Sequence, residues 1–111
     1  MDYDRFDVVI LPFPFTDKAL SKRRPVLVLS TKEFNKKTQH IVTAMITTAK
    51  KSKWVLDTTL VDSQEAGLPQ QCIVRMKFFT ADCKIVLRKL GRLSSVDKNS
   101  VSKSLRHLFD V

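Results

Sequence analysis

Glycine and cysteine are scarce in this chain: its 111 residues include two of each, with two histidines, one tryptophan and one tyrosine. Cys72 and Cys83 form no CxxC and fit no metal spacing, so they read as reduced, mostly buried thiols. Neither His40 nor His107 has a Cys, Asp or Glu at ligand spacing, which argues against a zinc site. Long apolar runs are also missing. None approaches the roughly 20 residues that cross a bilayer, so no membrane role is expected. The first residues, "MDYDRFD", are acidic and lack the basic start and apolar segment of a secretion signal, leaving a cytoplasmic address as the expectation.

What the chain does have is enough apolar residue, 43%, for one domain. A domain of this length buries about 65% of its unfolded surface. "FDVVILPFPF" predicts a short strand over Phe6 to Leu11, ended by Pro12 and Pro14 because proline cannot donate to a sheet ladder. Thr16 to Arg24 reads as a polar, basic connection. "PVLVLS" is apolar on both faces over Val26 to Leu29, the mark of a central strand, and "HIVTAMITT" predicts a third strand over His40 to Thr47.

Leu56 to Val61 suggests a fourth, weaker strand, and "QEAGLP" a helical turn stopped by Gly67 and Pro69. "QCIVRMKFF" and "KIVLRKLGRLS" predict two further strands, with "TADC" between them suited to a hairpin. Ser94 with Asp97 resembles a capping box. Beyond it Val101, Leu105, Leu108 and Phe109 recur at helical spacing. Five or six short strands and one long terminal helix point to a mainly β fold, a small barrel or curled sheet with the helix over one face or end. Helices are missing between the strands, which disfavours a parallel βαβ arrangement.

Positive charge is abundant and uneven. The net charge is +9, and residues 16–53 alone hold ten Lys or Arg against Asp17 and Glu33. Such asymmetry favours a polyanionic partner, nucleic acid first and an acidic protein segment second. The stretch "SKRRPVLVLS" sets Lys22, Arg23 and Arg24 at the mouth of the most hydrophobic strand. Arg is costly to bury unpaired, so an arriving anion would explain the placement, and a carboxylate such as Asp7 is the structural alternative.

The order "VVILPFPFTD…KRRPVLVLS…FN…AMITT…AGLP…IVRMKFFTAD…LGRLS" resembles the MazF/PemK family of toxin endoribonucleases over almost the whole chain. The resemblance implies an SH3-like β-barrel (MazF/PemK/CcdB type) with a C-terminal helix, commonly paired as a homodimer. It implies cleavage of single-stranded RNA without a metal or other cofactor: the ribose 2′-OH attacks the adjacent phosphorus, leaving a 2′,3′-cyclic phosphate and a free 5′-OH. An acidic antitoxin protein would be the other partner.

Carried over residue by residue, the family's catalytic Arg before proline falls on Arg24, and its catalytic Thr or Ser after the Ile of the third strand falls on Thr47. A planar guanidinium with several fixed donors suits the charge that builds on the phosphorane oxygens, whereas a side chain with pKa above about 12 is a poor proton acceptor near neutral pH. Arg24 is therefore expected to act as an electrostatic clamp, with Thr47 adding a hydroxyl donor. For Thr47 the plain alternative is an ordinary strand-end threonine.

Lys22, Arg23, Thr48, Lys50, Lys51, Lys53 and Arg75 are the expected substrate contacts around that pair. Trp54, with Phe13 or Phe15 as second choices, would stack on a base or simply join the core. Family members usually begin the first strand with Gly-Asp, and here Phe6 precedes Asp7. Some branches carry Arg-x-Asp before the hairpin. Here the trio is Arg75, Met76 and Lys77, with Lys77 a phosphate contact or a solvated residue. Two other readings fit the same architecture: a CcdB-like toxin that binds gyrase, and a catalytically inert nucleic-acid-binding barrel.

Overall fold

A computed structural model describes residues 2–13, 22–48 and 54–110, with Phe13 described in its backbone only. Its elements run β1 (Asp7–Phe13), β2 (Lys22–Val28), α1 (Lys32–Thr38), β3 (His40–Thr48), β4 (Thr58–Thr59), β5 (Cys72–Asp82), a 3-10 turn (Cys83–Ile85), β6 (Arg88–Arg92) and α2 (Ser95–Phe109). The six strands form one curled antiparallel sheet in the order β4-β5-β3-β2-β1-β6. The expected mainly β architecture with a terminal helix is the one found.

The "VLV" of β2 explains its position. Leu27 packs into a core with Val8, Ala44, Ile46 and Val74, which α2 closes with Val101 and Leu105. Val26 and Val28 enter a second core with Tyr3, Val9, Leu11 and Ile41. Alternate side chains of a strand point to opposite faces, so a strand buried on both sides must be apolar throughout.

Both glycines of the chain lie at one seam. Gly67 has φ +76°, and a Cβ there would come within 2.3 Å of the Leu90 carbonyl oxygen. A Cβ on Gly91 would come within 2.6 Å of the Glu65 carbonyl. The turn over residues 63–67 thus presses its backbone against β6, an approach only glycine permits, and fixes where Leu68 to Gln70 emerge.

Several expectations need correction. β1 runs through Pro12 to Phe13 instead of stopping at Leu11. Beyond Ile10, β1 pairs only with β2 and no longer with β6, so a missing N–H is tolerated there as on an edge. Lys22 to Arg24 belong to β2 rather than to a connection; they pair with Phe13, Pro12 and Leu11. The fourth strand shrinks to Thr58–Thr59.

The hairpin at "TADC" does not form. Asp82 caps the 3-10 turn by accepting from the Lys84 N–H, and this turn sends the chain across to pair β6 with β1, while β5 pairs with β3 and β4. The short helix α1 was not anticipated; Thr31 caps it, accepting from the Phe34 N–H. In α2, Val101 and Leu105 are buried, but Leu108 and Phe109 remain exposed. Ser94 caps α2 as expected. Asp97 does not reach back to it: its buried carboxylate accepts instead from the Val61 and Asp62 N–H groups, both at 2.9 Å, tying the helix to the segment after β4.

Candidate active site

The β2–β3 register pairs Val26 with Met45 and Leu27 with Ala44. Carried two residues outward, it sets Arg24 across from Thr47, and both residues line one cavity of about 330 Å³ at that end of the sheet. Lys22, Arg23 and Pro25 from β2, Ile46 and Thr48 from β3, and Leu68, Pro69, Gln70 and Cys72 complete the lining. Pro25 follows Arg24 directly and its fixed φ stiffens the backbone there. Thr47 and Thr48 are held by β5, through Ile73 and Cys72. Two strand ends and one glycine-fixed turn therefore frame the cavity.

Its electrostatics are one-sided. The described lining holds three cations and no Asp, Glu or His. Lys22, Arg23 and Arg24 are exposed and make no ion pair among the described residues. Asp7 is not the partner of Arg24: buried at the far end of β1, it lies 3.3 Å from Lys89 Nζ and 3.5 Å from Arg92 Nε, and no described carboxylate pairs with Arg24. Cys72 is buried, its thiol donates to the Gln70 carbonyl at 3.4 Å, and burial pushes its pKa up. The thiol stays protonated near neutral pH and is no nucleophile. A cationic concavity, unpaired among the described residues and lined by an arginine and a threonine, can bind a phosphodiester and stabilise added charge on it.

Of the substrate contacts expected from sequence, Lys22, Arg23 and Thr48 join Arg24 and Thr47. Lys50, Lys51, Lys53 and Phe15 lie outside the described residues, as does the Phe13 side chain. Trp54, Arg75 and Lys77 gather apart from the cavity lining. The Arg75 guanidinium forks onto Asp57, with Nε 3.3 Å from Oδ1 and Nη2 3.0 Å from Oδ2. These bonds to Asp57 raise the Arg75 pKa further, so it is cationic throughout the working range. The indole of Trp54 is 46% exposed, with Lys77 Nζ 4.9 Å and Arg75 Cζ 6.0 Å from its centroid. Core packing is therefore not its role.

Sequence reasoning missed the wall Leu68–Pro69–Gln70 with Cys72, and it missed Asp57. The "AGLPQQC" turn was visible in the sequence, but its approach to β2 depends on the Gly67–Leu90 seam. Asp57 lies in a segment expected to be strand and carries no local motif.

The chain matches the family model described as "PemK-like, MazF-like toxin of type II toxin-antitoxin system" over residues 4–109. Among solved structures, it is similar to a MazE–MazF complex from Deinococcus radiodurans, with a TM-score of 0.79, 21% identity, and coverage of 100% of this chain and 99% of that one. An endoribonuclease in complex with its cognate antitoxin from a mycobacterial species gives a TM-score of 0.77 at 16% identity, covering 99% of this chain and 95% of that one. The Mycobacterium tuberculosis toxin MazF-mt6 gives 0.74 at 22% identity, covering 95% and 97%. No curated protein sequence matches.

Proposed function

Because the chain belongs to the family of PemK-like, MazF-like toxins of type II toxin–antitoxin systems, we propose that it is a cytoplasmic, sequence-specific endoribonuclease that cleaves single-stranded RNA, mRNA first, without a metal. The observation that carries this reading is the shared cavity of Arg24 and Thr47, lined by cations and, among the described residues, by no acid.

The reaction is an in-line transfer. The 2′-oxygen loses its proton and bonds to the adjacent phosphorus, the bond to the 5′-oxygen breaks, and that oxygen takes up a proton. Arg24 grips the equatorial oxygens through its fork of donors, and Thr47 donates a further hydrogen bond. Lys22 and Arg23 hold neighbouring phosphates and Thr48 lines the strand's path; Lys50, Lys51 and Lys53, outside the described residues, are further proposed substrate contacts. Electrostatic attraction to a basic surface of net charge +9 also suits an acidic antitoxin segment. Phe34 on α1 and Phe109 on α2 stay exposed and line one largely apolar groove, a surface of the kind partners cover, which supports pairing of two copies.

The test is to incubate the purified protein, with EDTA, against a long structureless RNA, map the cut ends, and repeat with Arg24→Ala and Thr47→Ala. Discrete cuts bearing 2′,3′-cyclic phosphate, lost in both variants, are expected. Intact RNA would instead point to a protein-binding toxin of the gyrase-poison kind or to an inert nucleic-acid-binding barrel.

A further inference from the structure

Trp54 and Asp57 stand at the two ends of one tight turn, closed by the Asp57 N–H donating to the Trp54 carbonyl at 3.3 Å. Leu56 within it has φ +66°, a left-handed conformation that a leucine adopts only when its surroundings impose it. Arg75 meets both ends. Its guanidinium is forked onto the Asp57 carboxylate, whose side chain is only 8% exposed, and lies beneath the Trp54 ring.

β5 is irregular at this point. Ala44 pairs with Phe78 but Met45 pairs with Arg75, so Met76 and Lys77 form a bulge. Bulges re-aim side chains, and here Lys77 reaches the same indole. A tryptophan nearly half exposed is thus held in place by two cations, one of them fixed by a buried acid.

We propose that Trp54 is a stacking platform for one base of the bound strand, and that Asp57 is its positioning residue, acting through Arg75. The proposal rests on the RNA-binding reading of the cavity. Arg75, neutralised by Asp57, then serves to orient the ring rather than to bind a phosphate. The platform is close to the chemistry: Thr47 pairs with Ile73, and Arg75 lies two residues further along β5, about 7 Å. Residues 49–53 join Thr48 to Trp54, a tether that spans at most about 20 Å. The stacked base therefore belongs to a nucleotide near the scissile phosphate, where its identity bears on which site is cut.

Trp54 is the only tryptophan, so its fluorescence reports the contact directly. In a Thr47→Ala background, which keeps RNA intact, short oligoribonucleotides should quench the emission saturably, and inorganic polyphosphate of matched charge should not. Trp54→Ala should weaken oligonucleotide binding, read by anisotropy, about tenfold to a hundredfold and leave polyphosphate binding unchanged. Asp57→Asn should reduce both quench and affinity, with Asp57→Glu partly restoring them, and melting curves check that each variant folds.

RNA that binds Trp54→Ala as tightly as the parent, or polyphosphate that quenches as strongly as RNA, would overturn the platform and leave the RNA reading standing. Full quench and affinity in Asp57→Asn would overturn the positioning role. RNA that binds none of the proteins would overturn the platform together with the RNA reading.

Discussion

Arg24 on β2 and Thr47 on β3 lie across from each other where the two-strand register runs out, and the two residues line one cavity. A guanidinium fork and a hydroxyl so placed can address the same phosphodiester, one by charge and geometry and the other by a single hydrogen bond.

If Arg24 is a clamp, its geometry matters more than its charge. Arg24→Lys keeps the charge and loses the fork. Cleavage should fall at least about a hundredfold, in line with the loss of a transition-state donor, while RNA binding measured by anisotropy stays within about threefold. Near-normal cleavage by this variant would refute the clamp.

The described cavity lining offers no carboxylate or imidazole, and burial pushes the Cys72 thiol up, away from the working range. A general base with a pKa below neutrality would make the rate flat above that pKa. With none, the single-turnover rate should keep rising between pH 5 and 9, by about tenfold per unit, as hydroxide removes the 2′-proton. A plateau beginning in the carboxylate or imidazole range would show a base contributed from outside the described cavity lining.

Binding should depend on salt through the cations of the cavity and its flanks. About four phosphate contacts at a slope near −0.7 each predict a slope of roughly −3 for log K against log salt on single-stranded RNA. Lys22→Ala in the Thr47→Ala background should reduce that magnitude by about 0.7. A slope near zero would remove the case for an RNA groove.

Phe6 has φ +72°, a left-handed conformation that favours glycine. Phe6 is 9% exposed in the main core, with the Arg5 guanidinium 4.7 Å above its ring. Losing that aromatic costs about 3–5 kcal/mol, and relief of the left-handed strain returns only about 1–2 kcal/mol. The net loss of about 1–4 kcal/mol means that Phe6→Gly should lower Tm by about 4 °C or more; a higher Tm would show that strain outweighs packing.

The parts of this structure that were legible in the sequence are those dictated by short-range pattern. The β2 core run, the Ser94 cap and the buried face of α2 at Val101 and Leu105 follow from periodicity and capping chemistry. Arg24 and Thr47 followed from the resemblance, and the register supplies the reason they line the same cavity. What was missed is non-local or too short to be periodic. Helix α1 has seven residues, and its buried Asn35 donates to the Tyr3 carbonyl at 2.9 Å, a contact no local window shows. The sixth strand pairs with the first because a 3-10 turn diverts it, although adjacency suggested a hairpin. Pro12 is tolerated because β6 has already left the β1 ladder. Asp57 became visible only when β5 brought Arg75 to it.

The central claim is that Arg24 and Thr47 act on one phosphate. The most direct measurement is a double-mutant cycle on kcat/KM with Arg24→Ala, Thr47→Ala and the double variant. Groups that work as a unit are strongly non-additive. Each single change should cost about 10²- to 10³-fold, and the double should fall no more than about tenfold below the weaker single. Losses that simply multiply would mean that the two residues act independently, and would contradict the account.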